Sequence, residues 1–233
     1  MRAVAATTVA VVAAFGVLAS ARSLVWKDDL TLFSGMVETS PDSGMARCNL
    51  GLAYYRLGEF AKARDEFREA IRVTPSYALA YNNLAAGYER EGRLDDALRS
   101  YEMALWLAPA QLETRVNIAS LRVRLGNATA GLEELKELTQ GHPRYTPALY
   151  AYAEVLDSVG RRDEAVIYLE RSLLADPLYP NAHYMRGKIL AERGQKREAA
   201  EEMRRFLSLW SEGGLYADVA RRVIAQGESP RSP

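Results

Sequence analysis

The sequence has one cysteine and two histidines among 233 residues. A lone Cys48 cannot close an internal disulfide, which excludes a disulfide scaffold and leaves the redox compartment unassigned. His142 and His183 are too few for a histidine-rich metal centre, and no His-Glu-x-x-His string occurs, so no metal or other cofactor is expected. Neither sign of charge is in excess, with Lys plus Arg at 30 and Asp plus Glu at 30. A nucleic-acid binder ordinarily carries a basic surplus that displaces counterions from phosphates, so nucleic acid is not an expected partner. What is present, 48% hydrophobic and 26% charged residues, is the composition of a folded globular chain.

One long uncharged run exists. Ala3 to Ala21 form 19 residues between Arg2 and Arg22. As a helix they would span about 28 Å, close to the ~30 Å hydrocarbon core of a bilayer. Seven Val, Leu and Phe residues against eight alanines give an insertion energy of only about −3 kcal/mol. Three readings fit: a signal peptide cleaved at Ala19-Ser20-Ala21, an uncleaved anchor, or the last membrane helix of a longer protein. Residues 1–25 are therefore expected to be a membrane or signal segment, with residues 3–21 as the membrane partner.

The rest of the chain has a period. Pro41, Pro75, Pro109, Pro143 and Pro177 are each 34 residues apart, and so are Gly58, Gly92, Gly126, Gly160 and Gly194. Four successive proline hits at one spacing have a chance probability of roughly two in a million, so the chain is read as a repeat array. Within each period apolar residues recur at three- and four-residue steps, the pattern of two amphipathic helices. Glycine closes the first helix, where a left-handed residue is favourable, and proline stops the second.

On these residues the chain resembles the tetratricopeptide family over roughly residues 26–226. Leu50-Gly51 with Tyr54, and Leu84-Ala85 with Tyr88, match the family's first-helix signature. Ala63, Phe67 and Ala70, then Ala97, Tyr101 and Ala104, match its second. The third unit departs, with Gly131, Leu135 and Leu138, and the fifth has Ala199, Met203 and Phe206 without a closing proline. The resemblance implies an all-α fold, a right-handed solenoid of helical hairpins preceded by one apolar amino-terminal helix. The expected organisation is a capping helix in 26–43, then five repeats at 44–77, 78–111, 112–145, 146–179 and 180–213. A capping helix at 214–226, from Leu215 to Gln226, and a disordered tail at 227–233 would complete it.

No constellation in the sequence suggests catalysis. Asp28-Asp29 and Asp95-Asp96 fall in first turns of expected helices, where they complement the dipole. His183 stands where the family places a packing residue, and Cys48 reads as a small apolar residue. Asn127-Ala128-Thr129 is a formal glycosylation triplet in an inter-helix turn. If the family geometry holds, first helices line a groove that takes a protein or peptide. Its residues would be Met45, Cys48, Leu52 and Tyr55, then Leu79, Asn82, Ala86 and Glu89. Val116, Ser120 and Val123 follow, then Tyr150, Glu154 and Asp157, and finally Tyr184 and Lys188. Tyr150 and Tyr184 are expected side by side as contact residues. Arg56, Arg90 and Arg124 repeat every 34 residues and would make a basic stripe. The positions by which some family members clamp a carboxyl-terminal tail hold Cys48, Leu52, Asn83, Glu113 and Asn117, and only Asn83 matches.

The junction resembles a second family, the multispanning O-mannosyltransferases with tetratricopeptide tails. Arg22, Trp26, Asp28, Leu32, Pro41, Ser43, Asn49, Leu50 and Gly51 carry that likeness. It implies an extracytoplasmic location for the repeats, and a role as an acceptor-binding tail whose catalytic part lies elsewhere. The first expectation remains a non-catalytic, membrane-tethered scaffold.

Overall fold

A computed structural model describes residues 29–210 and 213–228. The expected segment at 1–25, Trp26 to Asp28 and most of the expected tail lie outside the described residues. All regular structure among the described residues is helical. A leading helix α1 (Asp29–Thr39) precedes five hairpins: α2 (Gly44–Arg56) with α3 (Phe60–Val73), α4 (Ala78–Arg90) with α5 (Leu94–Leu107), α6 (Leu112–Arg124) with α7 (Ala128–Gly141), α8 (Thr146–Ser158) with α9 (Arg162–Ala175), and α10 (Pro180–Glu192) with α11 (Lys196–Leu209). A closing helix α12 runs from Leu215 to Glu228. No described helix is long and apolar enough to cross a membrane.

Local chemistry explains the boundaries. Ser43 sits before α2 in an extended conformation, and its hydroxyl accepts the Ala46 N–H at 3.2 Å. That satisfies one of the donors orphaned at a helix start. Asn127 does the same for α7, accepting from Ala130 N at 3.3 Å, so the residue of the formal glycosylation triplet works as a cap. At the other end of α2 the chain reverses through Gly58, whose φ of 78° is left-handed. The turn lets Gly58 and Glu59 N–H groups reach the carbonyls of Tyr55 and Tyr54, closing the helix. Asp96 in the first turn of α5 bonds Arg93 and Arg99, a surface role that matches its dipole-complementing position.

The helices fall into two compact units, the first ending at Ala110 and the second beginning at Gln111. The first therefore holds α1–α5 and the second α6–α12. In both, the inner faces obey the 34-residue period. Phe67, Tyr101, Leu135, Leu169 and Met203 recur at that spacing, and none is more than 2% exposed. Burying such side chains stabilises each hairpin by about 1.5–3 kcal/mol apiece. Next to them Ala63, Ala97, Ala165 and Ala199 are fully buried, small enough to let paired helices approach.

The third hairpin uses glycine at this position for a definite reason. A Cβ on Gly131 would lie 2.6 Å from the Ala119 carbonyl oxygen and 2.4 Å from Val123 Cγ2. The partner backbone is already at contact, so no side chain fits without moving the helix. The departure from the repeat pattern is thus a closer helix approach.

The second unit's core runs from Val116 and Ala119 through Leu135, Leu149, Tyr152 and Leu169 to Met185 and Ile189. A smaller cluster, Met203, Phe206 and Ala220, joins α11 to α12, with Tyr184, Trp210 and Ile224 packed against it.

Candidate functional site

The second unit contains a cleft of about 410 Å³ walled by α8 and α10 and closed at one end by the end of α11 and the start of α12. Glu154 and Asp157 follow Tyr150 along α8 at intervals of four and three residues, which places them on one helical face. Tyr184 and Lys188 share a face of α10 for the same reason. All five line the cleft.

The cleft is strongly aromatic. Tyr150 meets Tyr179 edge-on with ring centres 5.5 Å apart. Tyr184 packs at 5.1 Å against both Phe206 and Tyr216, and Trp210 stacks on Phe206 at 5.3 Å. The two expected tyrosines line the same cleft. Each is half-buried and packs partly on its own neighbours, because helix-to-helix spacing leaves room for a ring between repeats. Burial pushes the Tyr150 hydroxyl far up, reinforced by Glu154, Tyr179, Tyr216 and Tyr184, which puts these groups within electrostatic reach of one point.

The charged groups differ in their partners. Asp157 is bonded by Arg162 Nε at 3.0 Å, and Arg162 also reaches Glu192 at 3.0 Å. Glu154 keeps an exposed edge but is surrounded by protein, and this desolvation raises its carboxyl while Arg124 partly offsets the effect. The exposed edge describes what solvent can touch, and the raised carboxyl reflects the density of atoms behind it. Lys188 is exposed and forms no ion pair among the described residues.

The remaining expected site residues are not gathered here. In the first unit Leu52 is half-buried and Leu79 is exposed. Tyr55 meets Phe60 edge-on at 5.3 Å, and burial raises its hydroxyl. Arg56 and Arg90 are both exposed, and each also has a neighbour within its own unit. Arg56 pairs with Asp29 of α1, and the Arg90 guanidinium lies 5.2 Å from the Phe60 ring centre. Asn83 donates through Nδ2 to Cys48 Sγ at 3.2 Å, which uses the single residue that matched the carboxylate clamp. Asn82 has a partner of its own. In the second unit Asn117 is half-buried and Arg124 is exposed. Cys48 is fully buried, and burial pushes its thiol up, the environment of an inert cysteine.

His183 occupies a buried packing position, as expected. Its contacts there form a polar network. Nε2 donates to the Pro177 carbonyl at 2.9 Å, and Nδ1 lies 2.6 Å from Glu202 Oε2. Glu202 also accepts from Arg186 at 2.7 Å, and Arg186 reaches Glu170 at 2.9 Å. Among the described residues no group of three or more His, Cys, Asp or Glu could hold a metal ion.

Profiles described as "TPR repeat" and "Tetratricopeptide repeat" match the chain, the first over residues 51–92 and the second over 80–115, 122–189 and 180–205. The chain carries tetratricopeptide repeats. No curated protein matches it. Among solved structures, a tetratricopeptide repeat protein of Parabacteroides merdae is similar with a TM-score of 0.76 and 17% identity, covering 92% of this chain and 82% of that one. A thermophilic tetratricopeptide protein of Thermus thermophilus has a TM-score of 0.69 and 21% identity, covering 79% and 98%. YrrB, described as having an unusual peptide-binding site, has a TM-score of 0.51 and 19% identity, covering 82% and 97%. At these identities the likeness concerns the fold.

Tetratricopeptide register accounts for part of what sequence reasoning missed. Ser158 and Asn181 line the cleft and occupy the thirteenth and second positions of their repeats, both among the groove positions of the family. Met185, Phe206, Trp210 and Tyr216 line it too. For Phe206, Trp210 and Tyr216 the signal was a cluster of aromatics within eleven residues. Helix α12 is thus more than a polar cover, since it contributes Tyr216 to the wall.

Proposed function

We propose that this chain is a non-catalytic tetratricopeptide scaffold that holds a segment of a partner protein in the cleft between α8, α10 and α12. The observation that carries this reading is the cleft itself. Its wall combines half-buried tyrosines, which offer large contact area at little entropic cost, with polar groups that can fix a register. The peptide-binding site of YrrB, a protein of similar fold, is in keeping with it. Tyr216 is the informative residue, because it is 54% exposed and lines the cleft. Tyr216→Ala should weaken capture of the partner segment by about 2 kcal/mol, the scale of an interface hot spot. Helicity and thermal midpoint should stay near those of the parent. A well-folded Tyr216→Ala protein that binds as before would move the site away from this cleft.

The tether is part of the same proposal. Residues 3–21 would hold the protein at a membrane, a reading that rests on the length and apolarity of that run, and the junction resemblance would put the repeats on the extracytoplasmic side. The full chain should sediment with membranes and a chain lacking residues 1–21 should not. Recovery of the intact full chain in the soluble fraction would refute anchoring. The glycosyltransferase reading has only the junction residues for it. Two of those have local roles, since Ser43 caps α2 and Gly51 makes room for the Phe67 ring. The scaffold reading is therefore preferred.

A further inference from the structure

The cleft's charges point to the chemistry of its occupant. Asp157 is already neutralised by Arg162 at 3.0 Å. Glu154 makes no ion pair or hydrogen bond among the described residues, and the one cation acting on it, Arg124, does so at a distance. Its carboxyl lines the cleft together with Tyr150, Tyr184 and Tyr216. Aromatic faces beside an uncompensated carboxylate form a receptor for a cation, because ring quadrupoles and the anion attract the same charge and desolvation strengthens both.

We propose that the cleft seats a lysine or arginine side chain of the bound segment, with its charge at the Glu154 carboxylate and its stem across the Tyr184 and Tyr216 rings. This rests on the reading of the cleft as a peptide site. Lys188 is the competing feature, since it lines the same cleft and forms no ion pair among the described residues. It stands on the next repeat at the register of Glu154, and both side chains have exposed surface, but Glu154 has the denser protein packed around it. Glu154 is the group that loses water contact behind it and gains most from a partner. The segment is thus a stretch of protein with one basic residue among neutral neighbours. A polybasic run would meet Lys188 and be disfavoured.

The test is selection of a nine-residue peptide library, randomised at every position and displayed on phage, against the full chain. One position should enrich in Lys or Arg, and the peptide should bind at least ten-fold more weakly when that residue becomes Gln. Glu154→Gln should abolish this discrimination while its thermal midpoint stays near that of the parent, because among the described residues Glu154 makes no hydrogen bond or ion pair and Gln has the same shape. Lys188→Gln should tighten the basic peptide several-fold. Peptides that need Tyr216 but show no basic preference, or that enrich in Asp or Glu, would overturn the inference and leave the peptide-binding reading standing. A selection that enriches nothing would overturn both.

Discussion

Glu202→Ala should lower stability by about 3–5 kcal/mol, the range found when one partner of a buried ion pair is removed. The Glu202 carboxylate is 7% exposed and holds two groups, His183 Nδ1 at 2.6 Å and Arg186 at 2.7 Å. With it gone, His183 keeps only its bond to Pro177 and Arg186 only its exposed link to Glu170. His183 would be left buried, and Arg186 half-buried, without full compensation, which costs more than the bond was worth. The loss should appear as a lower denaturation midpoint, with unfolding of α10–α12 preceding that of the first unit. Replacing both His183 and Glu202, by His183→Leu with Glu202→Met, should cost less, since the two most buried polar groups leave together and Arg186 keeps its link to Glu170. Equal losses in the single and double variants would show that packing, and not the polar network, holds α10 to α11.

Phe67→Ala should cost about 3–5 kcal/mol, as expected for truncating a fully buried aromatic. The coupling to Gly51 is the more discriminating result. A Cβ on Gly51 would lie 2.6 Å from Phe67 Cε1 and 3.1 Å from the Ala63 carbonyl oxygen. In the parent, Gly51→Ala gains about 1 kcal/mol of helix propensity but overpacks against the ring by roughly 1–3 kcal/mol, so it should destabilise. In the Phe67→Ala background the ring is absent and the same methyl enters the cavity. Gly51→Ala should then stabilise by up to about 1 kcal/mol. A double-mutant cycle by chemical denaturation measures this sign reversal. An unchanged sign would mean that the Ala63 carbonyl, and not the ring, sets the limit.

Helix α12 shows where legibility stopped. Its amphipathic pattern announced a helix at the end of the array, and the buried Ala217 and Ala220 agree with that. Nothing in the pattern told which face would look into a cleft. Tyr216 gained its place because α12 packs against α11, bringing the ring to 5.1 Å from Tyr184 on α10.

The sequence by itself determined the all-helical class, the hairpin rhythm and the alternation of small and large residues at helix crossings. These follow from interactions over three to four residues and from a period repeated five times, which are local and redundant. Only the tertiary structure decided the fate of individual polar and aromatic side chains. Arg56 meets Asp29 across 27 residues, and His183 meets Glu202 across 19. Such pairings depend on which faces the packed helices turn toward one another. The same long-range geometry set Arg90 over the Phe60 ring and brought Trp210 and Tyr216 into the cleft. It also left Glu154 without an internal ion pair, because a side chain's free valences appear only when every neighbour is in place.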